Sequence, residues 1–109
     1  DTLHIACLQT RPSPSFETAL DEALGLATRA VEGGATVLSL PEYCGGLVSD
    51  GPRLVPPTAP EAAHPVLAAL RTFAKDNSVW IQIGSIAVEG PGGKIWNRGY
   101  MITPTGTIA

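Results

Sequence analysis

Hydrophobic positions recur with two different periods along this chain, and the changes of period mark its elements. Leu3 to Gln9 is a short apolar run containing the β-former Ile5, and it stops at Arg11-Pro12-Ser13-Pro14, where two prolines remove backbone donors. Ser15 then offers a helix cap. Phe16, Leu20, Leu24, Ala27 and Val31 follow at helical spacing, and Glu17, Asp21 and Glu22 favour the positive N-terminal end of that helix. Gly33-Gly34 closes it. The next run, Ala35 to Leu40, is nearly continuously apolar, the pattern of a strand covered on both faces. Strand, helix and strand therefore predict a parallel βαβ unit.

From Tyr43 to Pro60 the pattern is lost to Gly45-Gly46, Gly51-Pro52 and Pro56-Pro57, which predicts a long irregular loop without regular elements. A second helix is predicted from about Pro65 to Asp76, with Val66, Leu67, Leu70 and Phe73 on one face and Asn77 ending it in a left-handed conformation. Thr58-Ala59-Pro60-Glu61 resembles a capping box, which allows an earlier start. Val79 to Val88 alternates and is rich in branched residues. Gly90-Pro91-Gly92-Gly93 turns it into a further strand, Lys94 to Thr103, as its antiparallel neighbour. Pro104-Thr105-Gly106-Thr107 forms a tight turn with Gly106 at positive φ. Only Thr107-Ile108-Ala109 remain after it, so a strand is begun and not finished.

Composition narrows the class of protein. With 109 residues, 44% of them hydrophobic and 16% charged, the chain supplies one small domain with a core and is not disordered in character. A formal charge of -3 with seven scattered Lys and Arg gives no basic stripe, which argues against nucleic acid as a partner. No stretch is long and apolar enough to predict a membrane span, and Asp1-Thr2-Leu3-His4 does not begin a signal segment. The expectation is a soluble cytoplasmic protein. The absence of Met at position 1 suggests that the numbering starts inside a longer or processed chain. Cys7 and Cys44 form no CxxC pair and have no zinc-type spacing with His, so no metal or cofactor is expected and both thiols are expected to be reduced.

One carboxylate stands out by its place. Glu42 follows Leu40-Pro41 directly beyond the second predicted strand, and in open α/β sheets ligands bind outside the carboxyl ends of strands. A loop carboxylate in water is the alternative. Tyr43 beside it either lines a substrate pocket or packs under the loop. Cys44 reads as a buried or pocket-lining thiol and Cys7 as a core residue of the first strand. His4 and His64 read as incidental, Lys75 as a charge complementing a helix end, and Lys94 as a solvated hairpin residue.

The ordered set Ile5-Ala6-Cys7-Leu8-Gln9, Gly34 to Leu38, Leu40-Pro41-Glu42, Gly84-Ser85, Gly93-Lys94-x-x-Asn97 and Pro104-x-Gly106-Thr107 resembles the nitrilase superfamily of carbon-nitrogen hydrolases along the whole chain. The resemblance implies an α/β fold, the N-terminal part of an α-β-β-α sandwich, with residues 1–109 as an incomplete portion of one hydrolase domain. It implies hydrolysis of a small-molecule amide, without a cofactor, by a Glu-Lys-Cys triad in a homo-oligomer. Glu42 is similar to the triad's general base, in a partly buried pocket where desolvation raises its proton affinity, and Tyr43 to a residue lining the acyl pocket. The family's lysine and nucleophilic cysteine come later in its pattern than Ala109. Asn97 is expected to tie down the hairpin backbone. The Pro-Glu-Tyr-Cys loop and the Gly-Lys-x-x-Asn hairpin resemble small-acid amidases such as omega-amidase more than true nitrilases.

Two readings from other classes stand beside this one. A catalytically incompetent fragment or assembly domain predicts no amide hydrolysis and an associating sheet edge. A small nucleotide-binding module needs a glycine cradle after the first strand, and Thr10-Arg11-Pro12-Ser13-Pro14 has none.

Overall fold

Period-two alternation decides which side of the main sheet is dry. The computed structural model describes residues 2–109 and contains β1 (Ile5–Cys7), α1 (Phe16–Glu32), β2 (Val37–Leu40), β3 (Val48–Asp50), β4 (Arg53–Val55), α2 (Pro65–Asn77), β5 (Trp80–Glu89) and β6 (Ile95–Ile102). Strands order as β1-β2-β5-β6, the first three parallel and β6 antiparallel to β5. Leu38 and Leu40 of β2, Ile81 and Ile83 of β5, and Tyr100 and Ile102 of β6 point to one face, where α1 and α2 pack against them and each other. Each large aliphatic side chain buried there contributes about 1.5–3 kcal/mol. The intervening positions Ile5, Cys7, Trp80 and Met101 face the opposite side and are exposed.

Local sequence accounts for the helix ends. Ser15 Oγ accepts from the Thr18 backbone N–H at 3.2 Å, and the Gly33 N–H closes the other end of α1 onto Arg29 O. In α2, Pro65 occupies the first turn and the buried His64 is the N-cap. The predicted parallel βαβ unit and the antiparallel β5–β6 pair are both present, as is positive φ at Gly106.

Several expectations are corrected. Within Tyr43–Pro60, β3 and β4 pair as a hairpin, and Gly51-Pro52, which reads as a breaker, is its two-residue turn. Gly51 has φ of +58°, the sign that a two-residue hairpin loop requires. The left-handed residue ending α2 is Ser78, not Asn77. Thr58 caps nothing: its hydroxyl is buried without a partner among the described residues, and Glu61–Ala63 form a separate 3-10 turn before α2. β2 is covered on one face only, with Val37 and Ser39 half-buried on the other. Cys7 is exposed and not core, because alternation from Ala6 and Leu8 turns it to the uncovered face. Among the described residues, no helix is long and apolar enough to cross a membrane.

Candidate active site

The turn that carries Glu42 is locked by a bulge on the neighbouring strand. Leu40, the last residue of β2, pairs with Ile83, and just beyond it Gly84 and Ser85 on β5 oppose the single residue Gly99 on β6. A Cβ on Gly84 would sit 2.5 Å from the Pro41 carbonyl carbon and 2.6 Å from Leu40 O, so only glycine lets the two backbones meet here. Ser85 then holds the turn three times. Its Oγ accepts from the Tyr43 N–H at 2.9 Å, its carbonyl accepts from the Cys44 N–H at 3.2 Å, and its own N–H donates to Pro41 O at 3.4 Å. Tyr43 has φ of +54°, a conformation that costs a side-chain-bearing residue about 1–2 kcal/mol, and these bonds offset that cost.

The far end of the turn is packed as closely. A Cβ on Gly45 would lie 3.3 Å from Ile86 Cγ2 and 3.4 Å from His64 Cε1. Gly46, at φ of +121°, sits against Pro57 and Ser13 O, and the Leu47 N–H donates to that same Ser13 carbonyl at 2.8 Å. Cys44, Gly45 and Gly46 are buried, whereas Pro41 and Glu42 are exposed and Tyr43 is half-buried. This arrangement anchors the turn below and presents its carboxylate above.

Glu42 and Tyr43 line a cavity of about 230 Å3, together with Thr10, Arg11 and Pro12 from the exit of β1, Pro41 and Leu47. A second cavity, of about 370 Å3, lies beside it over Cys7, Gln9 and Ser39 and shares Pro41. Arg11 contributes the one cationic side chain of the first cavity and is steered by Glu22, whose carboxylate accepts from its backbone N–H and, at 3.4 Å, from its Nε. The carboxylate of Glu42 is exposed and not partly buried as the resemblance implied, since the described residues place nothing over the open face beside it. An open groove between Arg71, Lys75 and Thr105 lies on another part of the surface and contains none of these residues.

The other candidate residues divide by environment. Burial pushes the Cys44 thiol up to about 12, so it stays protonated and is no thiolate nucleophile at neutral pH. Lys94 is an exposed residue at the β5–β6 hairpin, and Lys75 lies exposed in the last turn of α2. Asn97 is exposed opposite Ala87 and makes no side-chain hydrogen bond among the described residues, so the expected hairpin tie is not seen. His64, read as incidental, is 1% exposed, and His4 is exposed. A cluster that sequence reasoning missed joins Glu61 to Tyr100 Oη and, at 2.9 Å, to Arg98. These two hydrogen bonds hold the Glu61 carboxyl below its usual range, while burial and the same carboxylate push Tyr100 up to about 12. Ser85 was also missed as a positioning group, although Gly84-Ser85 is visible as a motif.

A mixed four-stranded sheet packed against two helices, whose second strand ends in a locked turn bearing an exposed carboxylate, is an α/β scaffold with a candidate acid–base group at its rim. The chain belongs to the carbon-nitrogen hydrolase family, which it matches over residues 4–109. Its fold is that of the N-terminal part of nitrilase-superfamily amidases. NitN amidase from Nesterenkonia sp. AN1 superposes with a TM-score of 0.74 at 23% identity, over 98% of this chain and 42% of that one. A mutant of the same amidase in complex with butyramide gives 0.73 at 23% identity, over 98% and 41%. An N-terminal amidase with a Gln-Gly peptide gives 0.74 at 14% identity, over 98% and 26%. The chain thus spans about two-fifths of the length of the Nesterenkonia amidase. No curated protein matches it.

Proposed function

We propose that residues 1–109 are the N-terminal portion of a carbon-nitrogen hydrolase domain that converts a small amide to a carboxylate and ammonia. The observation that carries this reading is the exposed Glu42 carboxylate at the carboxyl end of β2, on a turn anchored through Ser85 and Gly84 and bordering a cavity. Complexes of the Nesterenkonia amidase with butyramide and acrylamide support an amide as substrate. In this reading Glu42 is the general base, Tyr43 lines the acyl pocket, and chain beyond residue 109 supplies the lysine and the cysteine. Glu42 takes the thiol proton, and sulfur attacks the amide carbon. The C–N bond breaks as Glu42 returns that proton to nitrogen, and ammonia leaves. Water then cleaves the thioester, giving the carboxylic acid and the free thiol. Omega-amides of small acids are the favoured substrates, and the enzyme is a cytoplasmic homo-oligomer.

The exposed apolar residues Ile5, Trp80 and Met101 favour one further reading, that residues 1–109 alone are inactive and serve as an assembly surface. The test is Glu42→Gln in the whole protein with small amides as substrates. A fall in kcat of about 10²–10⁴-fold with an unchanged circular dichroism spectrum is expected for loss of a general base. Turnover retained in that variant removes Glu42 from the mechanism.

A further inference from the structure

His64 is the most buried ionisable side chain that the proposed reaction leaves unused. It is 1% exposed, and its Nδ1 accepts from the Leu67 backbone N–H at 3.5 Å, which assigns the neutral ring's proton to Nε2. Among the described residues Nε2 makes no hydrogen bond of normal geometry, and only a looser contact of the ring with the Ala87 backbone favours its protonated form. A buried donor left unpaired costs about 1–3 kcal/mol, so packing must hold the ring where it is. That packing is informative, because the ring sits edge-on to Phe16 of α1, with centroids 4.7 Å apart, and its Cε1 lies 3.4 Å from where a Cβ of Gly45 would project. Ser85 holds residues 41–44 of the Glu42 turn from one side. His64 supports Gly45 from the other.

We propose that neutral His64 is a positioning residue that keeps the Glu42 turn in place, and that protonation of its imidazole releases the turn. The proposal rests on the reading of Glu42 as general base. An imidazolium cannot accept from the Leu67 N–H, so the cap of α2 is lost. It also places a positive charge at the positive end of a helix and buries it without a counterion. The ring relieves all three by moving toward water, which withdraws the surface against which Gly45 packs.

Among the described residues, no charge close to the ring offsets this. Phe16, Gly45, Leu67 and the Ala87 backbone meet it from α1, the turn, α2 and β5, and none is charged. The titratable residues near these contacts in sequence are Glu17, Glu42, the half-buried Tyr43, Cys44, Glu61 and Glu89. Glu17, Glu42 and Glu89 are exposed, Glu61 is taken by Arg98 and Tyr100, and Cys44 stays a neutral thiol. Burial accordingly lowers the His64 pKa from 6.5, against a smaller opposing contribution from the Ala87 backbone. Above 6.5 the neutral ring contributes its full stability. As pH falls below that value the unfolded chain binds the proton first, and stability is lost progressively down to the folded-state pKa.

The test follows the turn and turnover separately in the whole protein. Titrated by NMR, the His64 Cε1–H resonance is expected to shift with a midpoint below 6.5, and the amides of Tyr43, Cys44 and Gly45 to move with the same midpoint. His64→Asn retains a good cap and removes the titration. It is expected to abolish the coupled amide shifts, to flatten the acid limb of kcat, and to lower kcat at pH 8 about tenfold through a looser turn, with KM little changed. Turn amides that stay still while His64 titrates, or a His64→Asn enzyme with the wild-type pH profile, would overturn the proposal. Turnover retained in Glu42→Gln sinks the general-base reading instead, and the coupled shifts remain a separate measure of the His64 contact.

Discussion

Two neighbouring segments of one Gly- and Pro-rich stretch, the Glu42 turn and the β3–β4 hairpin, each carry a proline, a carboxylate and at least one glycine, yet they are held in different ways. Residues 41–46 are fixed by Ser85 on β5, by the absent side chain of Gly84, and by His64 and Ser13. The hairpin is fixed mainly by its own three cross-strand pairs, and Leu54 and Val55 are exposed along it. Composition reports only that a segment does not continue a helix or a strand. Rigidity comes from what the rest of the chain brings against it, and in the role proposed for Glu42 that support is what would hold a productive geometry.

Substitutions can break that contrast, the most damaging first. Gly84→Ala forces a Cβ into the backbone at Pro41, and we expect a loss of about 1–3 kcal/mol in urea denaturation, with the Tyr43 and Cys44 amides exchanging faster with solvent. Wild-type stability in this variant would show that the close approach is not needed. Ser85→Ala removes the acceptor of the Tyr43 N–H and should cost about 1 kcal/mol, read in the same experiment, with the exchange change confined to the turn. An effect spread evenly over the sheet would mean that Ser85 supports β5 and not the turn. At the smallest end, Leu54→Ser on the hairpin should change stability by less than about 0.5 kcal/mol. A larger loss would make the hairpin a structural equal of the turn.

What the sequence makes legible follows the range of the interactions involved. The helix from Phe16 is readable because its cap lies one residue away and its apolar face repeats within the segment. The β5–β6 pair is readable because alternation and a Gly-Pro-Gly-Gly turn are both local signals. Ser85 meets Tyr43 across 42 residues of chain, and nothing near either position announces the other. Cys7 was misplaced for a related reason, since an apolar neighbourhood does not say which face of a strand the helices will cover. Glu42 stands out by its position after a strand. Whether it sits in a pocket or in water is not legible there, because burial depends on the layers packed over it.

The alternation that divides the sheet into two faces also divides its chromophores. Both tryptophans of the chain stand on the main sheet, Trp80 on the uncovered face of β5 and Trp96 beside Arg98, whose guanidinium lies 4.6 Å from its ring centroid, on the side where Arg98 and Tyr100 reach Glu61. Neither indole lies in the core beneath the helices. Tryptophan fluorescence from these residues is therefore blind to the helix-packed interior. A blue shift from Trp80 would instead signal the moment another layer closes over the open face, which makes the molecule its own optical sensor of assembly.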